Sequence, residues 1–172
     1  MPASSYPPIP SPSAPRIEHH PPIQLIGQRI LSSWINDQTS ALWRPFRARR
    51  QDIPNRPDAR NYSIQRYGAA MATGTMSPTT TFEKWATVPV SSLAAIPEGM
   101  EAFGLPGGLY AVYTHHGPPQ AWPAVAQYLF GTWLPASPYR LDDRDHFEIF
   151  DDSYHPLAPD AVEDIWIPIA PR

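Results

Sequence analysis

One carboxylate stands inside an aromatic run in the C-terminal half of the chain, His146-Phe147-Glu148-Ile149-Phe150. A second apolar run follows it, Asp164-Ile165-Trp166-Ile167-Pro168-Ile169. Read at a period of two, His146, Glu148 and Phe150 share one face of a strand, and Phe147 and Ile149 share the other. In the second run Ile165, Ile167 and Ile169 share a face, with Trp166 and Asp164 opposite. A carboxylate among rings is costly to desolvate unless something compensates it. A bound organic cation does so, by ion pairing and by attraction to ring faces. Glu148 is therefore the candidate electrostatic anchor of a ligand cleft. The competing reading makes it a surface acid of an edge strand, or a partner for Arg66 or Arg144.

Trp166, opposite the isoleucine face, is expected to share the cleft with Glu148. Trp85, Tyr110, Tyr113, Phe103 and Tyr67 are further wall candidates. Strand parity separates Tyr110 from Tyr113, so only one of those two is expected to face the ligand. Trp122, Phe130 and Trp133 fall on a helical stripe and are read as core. His146 shares a face with Glu148 and is placed to assist it.

Other chemistries are not indicated. His115 and His116 are adjacent on a strand and point to opposite faces, and no metal-ligand spacing is visible. No nucleophile has a recognisable adjacent base, and Gly107-Gly108 reads as a hairpin turn rather than a phosphate loop. The chain has no cysteine, which excludes disulfides, thiol nucleophiles and Cys-ligated zinc. Neither a metal nor a cofactor is expected.

The 172 residues suit one domain plus a tail. A formal net charge of -3 makes a broad basic surface for nucleic acid unexpected. No apolar run approaches the roughly 20 residues that span a bilayer, and no secretory leader is recognisable. A soluble, cytoplasmic protein is the expectation. Residues 1–21 are rich in Pro and Ser and read as a disordered or polyproline-II tail, with the globular domain over 22–172.

Within that domain, Ile23 to Trp34 reads as a strand. A helix capped by Asn36 or Asp37 and carrying Leu42, Trp43 and Phe46 follows, with a kink or later start expected at Pro45. Tyr62–Tyr67, Phe82–Val90, Met100–Leu105 and Leu109–His115 read as strands, and Ala69 to Thr81 as a flexible loop. Trp122, Val125, Ala126, Leu129, Phe130 and Trp133 form the stripe of a second helix, ended by Pro135 and Pro138. The strand of Glu148, a loop over 151–162 and the strand 164–169 complete the chain. Strand, helix and two strands thus occur twice, with one extra strand between. This is an α+β pattern with a mostly antiparallel sheet, and the join between duplicated units is a natural place for a ligand.

Several motifs, in order, resemble the GyrI-like (gyrase-inhibitor-like) effector-binding domains. They are Gly-Leu-Tyr-Ala-Val-Tyr-Thr-His-His-Gly (108–117), Tyr-Leu-Phe-Gly-Thr-Trp-Leu-Pro-Ala-Ser-Pro-Tyr (128–139), His-Phe-Glu-Ile-Phe (146–150) and Asp-Ile-Trp-Ile-Pro-Ile (164–169). Leu-Trp-Arg-Pro-Phe (42–46), Tyr-Ser-Ile-Gln (62–65) and Ile-Pro-Glu-Gly-Met-Glu (96–101) fit as well. The resemblance runs from about Ile23 to Ala170. It implies two strand-helix-strand-strand (SHS2) modules about a pseudo-two-fold, with a ligand cleft between them. In multidrug-sensing activators of this family the domain binds lipophilic cations through a central glutamate and rings, and by motif position that glutamate is Glu148. Some stand-alone members resemble hydrolases that open cyclopropane rings of genotoxic compounds with a glutamate and an aromatic partner. Founding members inhibit DNA gyrase by protein contact. The stretch before Ile23 is too short for a helix-turn-helix, so direct DNA binding is not expected. Three readings follow: a stand-alone binder of lipophilic, often cationic compounds; a cyclopropanoid hydrolase using Glu148; and a protein-interaction module.

Overall fold

Alternating apolar residues dominate the described part of the chain, and they pair into one extended antiparallel sheet. The computed structural model describes residues 13–172. Its strands are β1 (Arg16–His20), β2 (Ile23–Ser32), β3 (Arg60–Arg66), β4 (Phe82–Pro89), β5 (Glu101–Leu105), β6 (Gly108–His116), β7 (Tyr139–Leu141), β8 (His146–Asp151) and β9 (Val162–Pro171). The helices are α1 (Thr39–Arg49), α2 (Ala69–Ala72), α3 (Trp122–Tyr128) and α4 (Leu134–Ala136), and a π-helical turn over Leu129–Trp133 joins the last two. The strand order is β1-β6-β9-β8-β3-β4-β2-β5, with β7 pairing on β9. Among the described residues no helix is long and apolar enough to cross a membrane.

That order is the duplication made spatial. β2-α1-β3-β4 lays down β3-β4-β2, and β6-α3-β8-β9 lays down β8-β9-β6. The modules meet where β3 pairs antiparallel with β8, so the pseudo-two-fold passes between those strands. The strand preceding each module is exchanged: β5 pairs with β2 of the first, and β1 with β6 of the second. β1 corrects the expected tail. Arg16–His20 is a strand in register with Gly108–Val112, and His20 is buried. Its five residues carry little apolar signal of their own, and pairing with a strand some ninety positions away supplies the order. The part of the tail over residues 1–12 lies outside the described residues.

Both exchanges use two-residue links, Pro21-Pro22 and Pro106-Gly107, too short to cross a flat sheet of this width. The sheet therefore curls until its two ends approach. A Cβ on Gly107 would lie 2.7 Å from His20 O and 2.8 Å from Pro22 Cδ, so the links touch. Inside the curl sit Leu25, Tyr62, Ile64, Trp85, Phe103, Leu105, Tyr110, Val112, Phe147 and Trp166. Phe147 stacks on Trp166 at 5.5 Å.

Both helices pack on the outer, convex face. α1 covers Ile26, Ala86 and Val88 with Leu42, Trp43 and Phe46. α3 and its π turn cover Ala111, Ile165, Ile167 and Ile169 with Val125 and Leu129. On a convex face the two helices splay, and they serve separate clusters. Pro45 stands inside α1 without ending it, with its ring solvent-exposed, and the helix already begins at Thr39, which corrects the expected later start. The N-cap of α1 is Gln38, which makes no side-chain capping bond, rather than the expected Asn36 or Asp37; Asp37, just ahead of it, accepts the Thr39 amide at 3.1 Å. The expected loop after β3 contains the short helix α2.

Candidate functional site

Between α1 and α3 the floor of the convex face is formed by β3 and β8. Phe147 is driven into the curl against Trp166, and strand alternation then turns His146, Glu148 and Phe150 toward the gap between the helices. In register, Glu148 stands between Ser63 on β3 and Ile165 on β9. Gln65, one step along the same face of β3, donates Nε2–H to Glu148 Oε2 at 2.9 Å. Lys84 on β4 pairs with Gln65 and is buried. Glu163 lies two residues before Ile165 on the same face of β9.

The walls are aromatic. Tyr67, just beyond β3, meets the His146 ring edge-on at 5.0 Å, Phe82 at 4.7 Å and Trp34 at 6.2 Å. Phe130, in the π turn, lies 6.3 Å from His146 and brings the second helix to the same place. A π turn inserts one residue per turn and re-aims the side chains it carries, and such turns recur at functional sites. On the other side Tyr154 packs on Phe150 at 4.5 Å.

Glu148 is densely surrounded by protein yet keeps partial solvent contact, as a group at the base of a recess does. Burial raises its pKa above the ordinary carboxylate value, while Lys84 and the Gln65 bond pull it back down. Glu163 is raised by burial first and by the neighbouring Glu148 charge second, again opposed by Lys84. Burial drives His146 down to about 3, with Arg144 adding to the effect, so it is neutral near pH 7. The Tyr67 and Tyr154 hydroxyls are raised by burial and by nearby carboxylates, Glu148 among them. Among the described residues no cationic nitrogen lies within 4.0 Å of a Glu148 oxygen. Arg66 pairs with Asp145 at 3.1 Å and Arg144 with Asp142 at 2.6 Å, so neither is its partner.

The sequence-based wall residues divide between the two faces. Tyr67 shares the recess with Glu148. Tyr113 lies on the same face, one strand beyond Ile165 and under α3. Trp166, Trp85, Tyr110 and Phe103 do not reach Glu148: all four are packed inside the curl on the opposite face. The isoleucine face of β9 is the one beneath α3, beside Glu148, and Trp166 points the other way. Trp122, Phe130 and Trp133 are partly buried against the α3 cluster, as expected, though Phe130 also reaches His146. Gln65, Lys84, Glu163 and Tyr154 were not anticipated. Only strand alternation over Tyr62–Tyr67 and Phe82–Val90 carried a signal for the first two.

Two surface clefts lie elsewhere. One of about 230 Å³ is lined by β2, α1 and Glu101, and its Arg29 already pairs with Glu101 at 3.0 Å. The other, about 450 Å³, lies between Ile17 and Trp133 and holds no charged residue. Neither offers an uncompensated charge to a ligand.

The model of the GyrI-like small molecule binding domain matches residues 13–170. The transcriptional regulator BrlR of Pseudomonas aeruginosa is 27% identical over 155 residues, 90% of this chain and 54% of that protein. The chain thus spans about half the length of that curated relative. Among solved structures, SAV2435 bound to tetraphenylphosphonium superposes with a TM-score of 0.66 at 12% identity, covering 92% of this chain and 94% of that one. The C-terminal domain of EcmrR gives 0.65 at 12% identity, covering 91% and 97%. These two likenesses are of fold.

Proposed function

We propose, for a chain that belongs to the GyrI-like small molecule binding domain family, a role as a receptor for lipophilic organic cations with Glu148 as the electrostatic anchor. One observation carries the reading: Glu148 is partly buried in the gap between α1 and α3, beside the rings of His146 and Tyr67, with the neutral amide of Gln65 as its direct side-chain donor. A carboxylate in that setting lacks most of its hydration, so an incoming cation gains more than it would from an exposed acid. Tyr67, Tyr154 and His146 offer ring faces and edges around it. The shared fold of SAV2435, solved with tetraphenylphosphonium, supports the ligand class.

Thermal unfolding and calorimetric titration with tetraphenylphosphonium and the neutral triphenylphosphine oxide test this. The wild type is expected to prefer the cation by at least about tenfold, which corresponds to ~1.4 kcal/mol. At 100 times its dissociation constant the ligand should add about 2.7 kcal/mol of stability. Glu148→Gln should fold normally, because Gln65 can rotate its amide to pair with another amide, and should lose the preference for charge. A variant that binds the cation as well as the wild type does would rule the anchor out.

A further inference from the structure

The chain contains one lysine against twelve arginines, and that lysine, Lys84, is the one placed in the recess. Its relative exposure is 9%, whereas the arginines sit mostly at the surface in ion pairs with Asp or Glu. A long ammonium-bearing side chain is seldom buried without carboxylates near it. Register puts Lys84 on the same face as Glu148, separated from it by β3, with Gln65 between. Glu163 approaches from the far side, on β9. The recess therefore holds two carboxylates and one ammonium, and Lys84 has no ion pair within 4.0 Å among the described residues. An ammonium held near two carboxylates, but docked on neither, serves both at longer range.

We propose that Lys84 is a tethered counter-cation of the Glu148–Glu163 pair, and that its charge limits the recess to ligands carrying a single positive charge. The inference rests on the cation-receptor reading of the same site. Burial holds the Glu163 carboxyl up to about 8, so a bound cation must first draw off its proton. With both carboxylates then ionised and Lys84 charged, the recess presents one net negative charge to the ligand. A monocation neutralises it; a dication leaves one positive charge enclosed.

Charge selection has a signature that cavity size lacks. Repulsion from Lys84 acts once on a monocation and twice on a dication. Lys84→Met, a near-isostere, is expected to raise affinity for tetraphenylphosphonium by about tenfold and for the dication benzyl viologen by about a hundredfold. Lys84→Arg should keep the wild-type ratio between the two. Glu163→Gln should weaken the dication more than the monocation. An equal change for both ligands in Lys84→Met would mean that room, not charge, is what Lys84 governs, and would overturn the proposal.

If the wild type binds neither compound, the receptor reading fails, and the counter-cation is judged on ligand-free protein. There Lys84→Met should lower the unfolding midpoint increasingly as pH rises from 6 to 9, and adding Glu163→Gln should restore most of the loss. Additive effects of the two substitutions would overturn the counter-cation itself.

Discussion

Between pH 7 and pH 4 the wild type is expected to lose about 3 kcal/mol more stability than His146→Phe does, because one buried imidazole resists its proton. His146 opens β8, is buried, and is ringed by Tyr67 and Phe130. Burial is the main force that drives its pKa down from 6.5 to about 3, and the Arg144 charge adds to it. The folded value is depressed, so the folded protein binds this proton more weakly than the unfolded chain. The associated stability is present above pH 6.5 and drains away as pH falls toward 3, a total of roughly 4–5 kcal/mol. Phenylalanine preserves the ring and leaves no orphan, since His146 makes no side-chain hydrogen bond among the described residues. Urea unfolding of both proteins from pH 8 to 4 reads the difference directly. Parallel curves would mean that His146 is already hydrated. The recess carboxylates act in the opposite sense. Their raised values give stability below about pH 4.5 that is lost as pH rises, so the site's own contributions cross in the middle of the range.

The elements carrying the site were legible because their alternation is strong; the faces were not. Period-two patterning in His146–Phe150 and in 164–169 located β8 and β9 and put Glu148 opposite Phe147. It did not say which face of β9 adjoins Glu148. That depends on the register Glu148↔Ile165, a non-local fact. Assigning the isoleucines to the core and Trp166 to the cleft assumes that one face of the sheet is buried. Here both are, one beneath the helices and one inside the curl, so chemical type no longer reports which way a side chain points. Tyr110 and Tyr113 were correctly separated by parity and fall on opposite faces. β1 was hidden for a related reason: Arg16-Ile17-Glu18-His19-His20 has no apolar periodicity, and its order comes from β6. Lys84 could have been noticed as the chain's one lysine inside a strand pattern. Its importance emerges only once β3 sets it beside Glu148.

Gly27→Ala is expected to destabilise the fold by at least about 3 kcal/mol, whereas Gly104→Ala should change it by less than about 1 kcal/mol. Both glycines lie in strands that pair with each other, in β2 and β5, and neither has a positive φ. They differ in what a methyl group would meet. On Gly104 the nearest atom is Gln24 Oε1 at 4.0 Å, the flexible end of an exposed side chain. On Gly27 a Cβ would overlap the Ala86 carbonyl oxygen, with Ala86 C and Thr87 Cα both at 2.8 Å. All three are backbone atoms of β4, hydrogen-bonded on both sides, to β2 and β3. A carbonyl on a strand held in two ladders cannot rotate away, so the strand itself must shift. Glycine in a strand interior marks such a close approach or bend, and here it lies on the side toward which the sheet curls. Urea unfolding of the two variants decides the matter, since equal stability would mean that β4 yields freely at Ala86. The consequence reaches the recess. The curl that Gly27 permits makes the outer face convex, and a convex face is what holds α1 and α3 apart above Glu148.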